Sequence, residues 1–487
     1  MPHSIDPIGD RDPLTRAAPG LLPLRASDAA FTIAHIGVGT FHRTHQAHLL
    51  DLLVRTAPAD TPWRLIGLGL LSTDAPLAGV MADQDCVYSV VERSAAGNST
   101  HLVSSISDYI HAVDRQHDAL DCLAAESTRI VSLTVTEGGY TLSPDELRYE
   151  IDHAAAPRTW PGYLVEALAR RRLGGRPPFT VLSCDNLPGN GAAARNLVLA
   201  LAAERDPNLA RWIAQVGRFP STMVDRISPA TTDEVREIAW AATGFDDRWP
   251  VQCEPYLEWR IEDDFVDGLR PAWDLLDGVS FVPDVHPYEV VKLRLLNLAH
   301  QAIAYPGLLL GLEFSHEAIG DPDIAAFLDR LMDSEVIPHV DPPAGLSLAE
   351  YRATVAERFA NPHLGDTLER LATDSVNRLR QFAGPCVADA AAGGDGVGQL
   401  ALLVAMWATT LARSDASRLQ LLCGPDAGAV DAALGAERNP RSLVDQRAAW
   451  SPILGAPDTF WAETLHQLDP LGDAGPGRLR RLLRGDA

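Results

Sequence analysis

A short apolar strand that runs straight into closely spaced glycines leaves a chain few ways to fold. Here Phe31-Thr-Ile-Ala-His-Ile36 is followed by Gly37-Val-Gly39-Thr-Phe-His-Arg43 and a helical stretch through His48-Leu-Leu-Asp-Leu-Leu53. Strand, glycine turn and helix in that order predict a parallel α/β unit, in which small residues let the backbone approach a pyrophosphate at a helix N-terminus. Gly37, Val38, Gly39, Thr40, Phe41 and His42 are the candidate cofactor contacts. His42 stands where a third glycine would complete Gly-x-Gly-x-x-Gly, so the string alone also reads as an ordinary tight turn. A second strand, Trp63-Arg-Leu-Ile-Gly-Leu68, leads to Asp74. That aspartate either accepts from the adenosine ribose hydroxyls or merely starts a helix.

Two more apolar strings, Arg129-Ile-Val-Ser-Leu-Thr-Val135 and Pro178-Phe-Thr-Val-Leu-Ser183, run into Thr136-Glu-Gly-Gly-Tyr140 and Cys184-Asp-Asn-Leu-Pro188. Both have the pattern of buried parallel strands. Ligands of open α/β sheets lie beyond the carboxyl ends of strands, which places Glu137, Asp185 and Asn186 at a site; turn formation is the alternative for the last two. A helix is expected over 192–204. Residues 219–284 are mixed, and in Met223-Val-Asp-Arg-Ile227 the pair Asp225 and Arg226 is either a plain ion pair or supplies Asp225 to a substrate hydroxyl. From 288 onward the periodicity is helical, over 324–332, 348–359, 364–372, 399–412 and 430–434, with a Gly- and Ala-rich loop at 384–398. The organisation expected is an irregular arm over 1–30, an α/β unit over 31–284 and a mainly helical unit over 285–487.

The helical unit opens on Pro287-Tyr-Glu-Val-Val-Lys-Leu-Arg-Leu-Leu-Asn-Leu-Ala-His300, which holds the only lysine among 487 residues. Arginine replaces lysine wherever a solvated charge is wanted but cannot give up its proton, so a lone lysine points to acid/base work. At about 100° per residue, Lys292, Glu289, His300 and Asn297 share one face of an otherwise apolar helix. A lysine desolvated there moves toward the range of a general base, the alternative being a core ion pair with Glu289.

A net charge of −24, with 46% hydrophobic and 22% charged residues, argues against nucleic acid or an anionic membrane and for a small-molecule partner. Six scattered cysteines without Cys-x-x-Cys suggest neither a disulfide framework nor a zinc ribbon, and fit a reducing cytoplasm. No signal peptide is evident, and the apolar run 400–412 is too short to span a bilayer.

Taken together, Gly37-x-Gly-x-Phe-His-Arg-x-His-Gln46, Thr134-x-Thr-Glu-Gly-Gly-Tyr140, Ser183-Cys-Asp-Asn-Leu-Pro188, Met223-Val-Asp-Arg-Ile227, Cys253-Glu-Pro255 with Glu262-Asp263, and Lys292-x4-Asn297-x2-His300 resemble the polyol-specific long-chain dehydrogenases, over about 31 to at least 380. The resemblance implies a Rossmann-type N-terminal domain, a mainly α-helical C-terminal domain, a cleft between them and zinc-independent chemistry with NAD, NADP being possible. The reaction implied is the interconversion of an open-chain polyol and its ketose, as mannitol and fructose, by a monomer or weak oligomer. By the same resemblance Lys292 is the general base, Asn186 and Asn297 bond the reacting oxygen, His300 holds a substrate hydroxyl, Glu289 passes the proton to water, and Asp225 fixes the polyol chain. Arg370 and Arg378 match two substrate-facing cations. Thr73 replaces the first acid of a usual pair with Asp74, which weakens exclusion of NADP, and Leu298 replaces a common glycine. The alternatives are a sugar-acid substrate, as mannonate and fructuronate, and a nucleotide-binding sensor without turnover; the overall negative charge favours the neutral polyol.

Overall fold

The computed structural model describes residues 29–57, 62–446, 456–472 and 476–486. The expected arm therefore lies, but for its last two residues, outside the described residues. The chain forms two compact units, Met1–His286 and Pro287–Ala487.

Among the described residues the first unit contains eleven strands: β1 (Phe31–Ile36), β2 (Trp63–Gly69), β3 (Tyr88–Ser94), β4 (Gly97–Val103), β5 (Ile106–His111), β6 (Thr128–Leu133), β7 (Thr180–Ser183), β8 (Thr222–Asp225), β9 (Val251–Cys253), β10 (Glu258–Glu262) and β11 (Val279–Val282). Five of them make a parallel sheet in the order β5-β2-β1-β6-β7. The strand order reverses direction at β1, so the Gly37 turn sits at the switch point where such sheets bind ligands. Both faces of the sheet are covered. Ile33 and Ile130 belong to one apolar cluster and Ala34, Ile36, Val131 and Leu133 to the other, which is why these strands read as continuous apolar runs instead of alternating. Two smaller sheets, β4-β3-β9 and β11-β10-β8, account for the mixed pattern of 219–284.

The second unit is helical around one large apolar cluster. Its central helix, Gly398–Ala412, is buried at every position from Leu400 to Ala412. No described helix is long and apolar enough to cross a membrane.

Three expectations are corrected here. The loop expected over 384–398 is largely helix, Ser375–Gly393, with Pro385 inside it; the alanine-rich stretch after Pro385 favours helix more than its glycines oppose it. The helix expected over 364–372 shrinks to Leu368–Leu371, because Gly365, at φ 58°, closes a preceding short turn over Pro362–Leu364. The helix bearing Lys292 is not uniform: α-helix over His286–Lys292 passes into a π-turn over Leu293–Asn297 and resumes as α-helix over Leu298–Leu310.

Candidate active site

In the first unit the turn after β1 is built to bring backbone close to a ligand. Gly37 has φ 93°, and a Cβ there would stand 2.1 Å from the Thr134 carbonyl oxygen, so no other residue fits. Thr134 fastens the turn by donating from Oγ1 to the Gly37 carbonyl at 2.7 Å. A cavity of about 830 Å³ opens beside it, lined by Gly37, Val38, Gly39, Leu71, Asp74, Thr134, Val135 and Thr136, and continuing to Glu146, Tyr149 and Arg158. Asp74 is fixed by the Leu71 N–H, which donates to Oδ2 at 2.9 Å. A glycine cradle at the switch point and a carboxylate beyond the second strand fit a dinucleotide.

Of the expected cofactor contacts, Gly37, Val38, Gly39 and Asp74 line this cavity; Thr40, Phe41 and His42 do not. His42 instead turns inward, 1% exposed, and stacks on His35 with ring centroids 3.4 Å apart. Burial, then the nearby His35, His45 and Arg43, holds its pKa well below the ordinary histidine value. Phe41 stacks on His45 at 4.8 Å. The missing third glycine is thus filled by a side chain packed into the turn's interior.

The loops after β6 and β7 are held by one carboxylate. Asp185 accepts from the Val135 N–H at 3.1 Å, the Thr136 N–H at 2.8 Å and the Tyr140 hydroxyl at 2.7 Å. Thr136 has φ 64°, a strained conformation for a branched residue that persists only when its surroundings hold it. Burial pushes the Asp185 carboxyl up from the usual carboxylate range, and these hydrogen bonds pull it back. Its neighbour Asn186 is exposed, as is Glu137. Asp225, at the end of β8, is buried. The plain Asp225–Arg226 ion pair is not what forms: Arg226 turns to Glu92 and donates to the Glu254 and Thr44 carbonyls at 3.0 and 2.6 Å.

In the second unit Lys292, Glu289 and Asn297 are 8, 6 and 7% exposed. The π-turn lies between Lys292 and Asn297. Its five-residue hydrogen-bonded repeat winds more residues per turn than an α-helix. Asn297 therefore comes nearer the face of Lys292 than the roughly 140° separation of a regular helix would allow. His300 stacks on Phe359 at 4.4 Å, and its buried Nε2 has no hydrogen-bond partner. Burial, followed by the charges of Arg370, Arg358, Arg378 and Lys292, keeps its pKa well below the ordinary value. A neutral imidazole with an unsatisfied nitrogen in a ring of cations suits a hydroxyl ligand that carries partial negative charge.

The cations are not equivalent. Arg370 is already matched by a bidentate carboxylate, with Nε to Asp366 Oδ1 at 2.6 Å and a terminal nitrogen to Oδ2 at 2.7 Å. Arg378 donates to the Arg370 and Leu371 carbonyls at 3.3 and 2.8 Å. Arg358, on the helix Leu348–Phe359 and 7% exposed, carries no signal in the sequence. It lies in an ordinary amphipathic pattern, and only burial beside His300 sets it apart.

Comparison with known proteins gives the family and the fold. Residues 31–275 match the model for the mannitol dehydrogenase Rossmann domain and 284–471 that for the mannitol dehydrogenase C-terminal domain. The chain is 41% identical over 378 residues to a mannitol 2-dehydrogenase of Pyricularia oryzae, covering 75% of each chain. It is 36% identical over 459 residues to mannitol dehydrogenase DSF1 of Saccharomyces cerevisiae, covering 91% of this chain and 90% of that one. The fold matches the ternary complex of Pseudomonas fluorescens mannitol 2-dehydrogenase with NAD and D-mannitol, with a TM-score of 0.86, 35% identity, and 97% and 99% of the two chains covered. A substrate-free D-sorbitol dehydrogenase matches at a TM-score of 0.79 and 29% identity, covering 96% and 99%.

Proposed function

Because this chain belongs to the mannitol dehydrogenase family, and so is an NAD-dependent oxidoreductase acting on the CH–OH groups of a polyol, we propose that it interconverts D-mannitol and fructose without zinc, with Lys292 as general base. NAD supplies the hydride acceptor. Gly37, Val38, Gly39 and Asp74 are the residues that would hold it, with Asp74 on the adenosine ribose hydroxyls.

The protein's own task is to remove the hydroxyl proton and to stabilise the oxygen as it becomes negative. Lys292 takes the proton at Nζ. Asn297 and Asn186 donate amide hydrogens to the reacting oxygen, and Asp185 keeps the backbone leading to Asn186 in one conformation. His300 bonds an adjacent substrate hydroxyl, Asp225 accepts from another, and Glu289 carries the proton toward water.

The observation that favours a neutral polyol over a sugar acid is the Arg370–Asp366 pair. A bidentate arginine is the natural receiver of a carboxylate, and this one already holds a carboxylate from its own chain. NADH oxidation measured with fructose and with fructuronate tests the reading. Fructose should have the higher kcat/KM; a uronate preference that weakens with salt and disappears in Arg370→Ala or Arg378→Ala would reverse the choice. Failure with every ketose and uronate in a broad panel would leave only a nucleotide-binding role.

A further inference from the structure

Away from the residues proposed for turnover, the structure brings together three metal-ligating side chains that are far apart in sequence. His48 lies on the helix Gln46–Thr56, Glu92 on β3 and His101 on β4. The β3–β4 register pairs Val90 with His101 and Glu92 with Ser99, so Glu92 and His101 are diagonal neighbours on one face of the hairpin. One donor atom from each of His48, Glu92 and His101 lies within 4.8 Å of the other two. The nearest separations are 3.7 Å from His48 Nε2 to Glu92 Oε1 and 3.6 Å from His101 Nε2 to Glu92 Oε2.

We propose that His48, Glu92 and His101 form a binding site for a zinc-class divalent cation. Two ligands of a tetrahedral zinc at about 2.0–2.2 Å stand roughly 3.4 Å apart, and the three donor atoms, all within 4.8 Å of one another, reach that geometry by drawing in by at most about 1.4 Å. Two imidazoles and one carboxylate are a ligand set that zinc accepts, with a water in the fourth position. Glu92 and His101 are partly exposed, at 20 and 36% of their side chains, which gives an ion a way in. His48 is the feature that most needs explanation. It is 2% exposed, its Nδ1 has no hydrogen-bond partner, and its Nε2 stands beyond hydrogen-bond distance from Glu92. An ion at Nε2 would satisfy the ring nitrogen that faces Glu92, in surroundings where a polar atom without a partner is costly.

The neighbours define what the ion must do. Arg226 is paired with Glu92 Oε1, so Oε2 is the oxygen that turns to the metal, with Arg226 orienting the ligating carboxylate from behind. Ser99 Oγ is 3.0 Å from His101 Nε2 and gives up that contact on binding. None of the three ligands lines the cofactor cavity, so the ion's role is structural, joining the β3–β4 hairpin to the helix that follows the glycine turn.

The test uses untagged full-length protein, stripped with a chelator and dialysed. Titration with zinc should show one ion per chain and a rise in Tm, since a ligand bound by the native state alone stabilises it. Cobalt should give the visible absorption of a four-coordinate nitrogen and oxygen site without a thiolate charge-transfer band. His101→Asn, a change at a partly exposed position, should leave the metal-free Tm unaltered, weaken zinc by about tenfold or more and abolish the zinc-induced shift. His48→Phe should do the same to binding. Absence of stoichiometric binding in the wild type, a thiolate band, or unchanged affinity in His101→Asn would each overturn the proposal.

Discussion

The two units reach their sites by opposite means. In the α/β unit the site is made mostly of backbone: a glycine that tolerates no Cβ, two strand-end loops tied by Asp185, and one carboxylate, Asp74, at the cavity edge. In the helical unit it is made of side chains: one lysine, three arginines and an unsatisfied histidine around a π-turn. A backbone site is sensitive to shape and tolerant of charge. A side-chain site is the reverse. On the assignment proposed above, the first unit chiefly holds the cofactor and the second chiefly supplies the base.

Charge removal in the helical unit should have the largest effect. Lys292→Ala is expected to lower kcat by more than about 10²-fold, the least that a general base supplies, and small primary amines should restore part of it. Retention of a tenth of wild-type kcat would show that another group takes the proton. Next comes Asp366→Asn, which releases Arg370 from its internal carboxylate. It should raise kcat/KM for fructuronate relative to fructose by about tenfold, as expected for one newly available charge-assisted pair; an unchanged ratio would mean that Arg370 does not face the substrate.

In the α/β unit acid should act before any substitution at the cavity. Burial lowers the pKa of His35 to about 3, and that of His42 well below 6.5, so both are neutral in the native state while the unfolded chain binds protons below about 6.5. Native stability from these groups is full above that value and is lost as pH falls through the window down to their folded values. The slope is about 1.4 kcal/mol per histidine per pH unit. Tm should fall between pH 6.5 and 5, and less in His42→Phe; equal loss in both proteins would place the acid lability elsewhere. The smallest effect is expected at Asp74, where Asp74→Ala should shift the NADPH to NADH ratio of kcat/KM upward only a few-fold because Thr73 is already neutral. No shift would remove Asp74 from the ribose.

The same contrast explains what could be read in the sequence. β1 runs from Phe31 to Ile36 as expected, because an apolar run stopped by Gly37 is a local signal that needs no tertiary context. Lys292 stood out by composition alone. The π-turn did not, because its hydrogen bonds depend on packing around Leu293–Asn297 and not on which residues are there. Arg358 was missed because a charged residue on an amphipathic helix is ordinarily solvated, and its burial is decided by neighbours distant in sequence. The motif position of His42 points to the cofactor, but the motif constrains backbone and leaves the side chain free to turn inward onto His35. The His48, Glu92 and His101 cluster has no spacing to read; hairpin register and helix placement create it.

The division between a binding unit and a reacting unit is tested most directly by measuring NADH dissociation and the single-turnover rate of fructose reduction in two variants, Gly37→Ala and Lys292→Ala. Gly37→Ala should weaken NADH by about tenfold or more, because its Cβ meets the Thr134 carbonyl, with the rate at saturating NADH within about threefold of wild type. Lys292→Ala should leave NADH affinity unchanged and lose more than about 10²-fold in rate. A Lys292→Ala protein that loses NADH affinity in proportion to its rate would contradict the assignment of chemistry to Lys292.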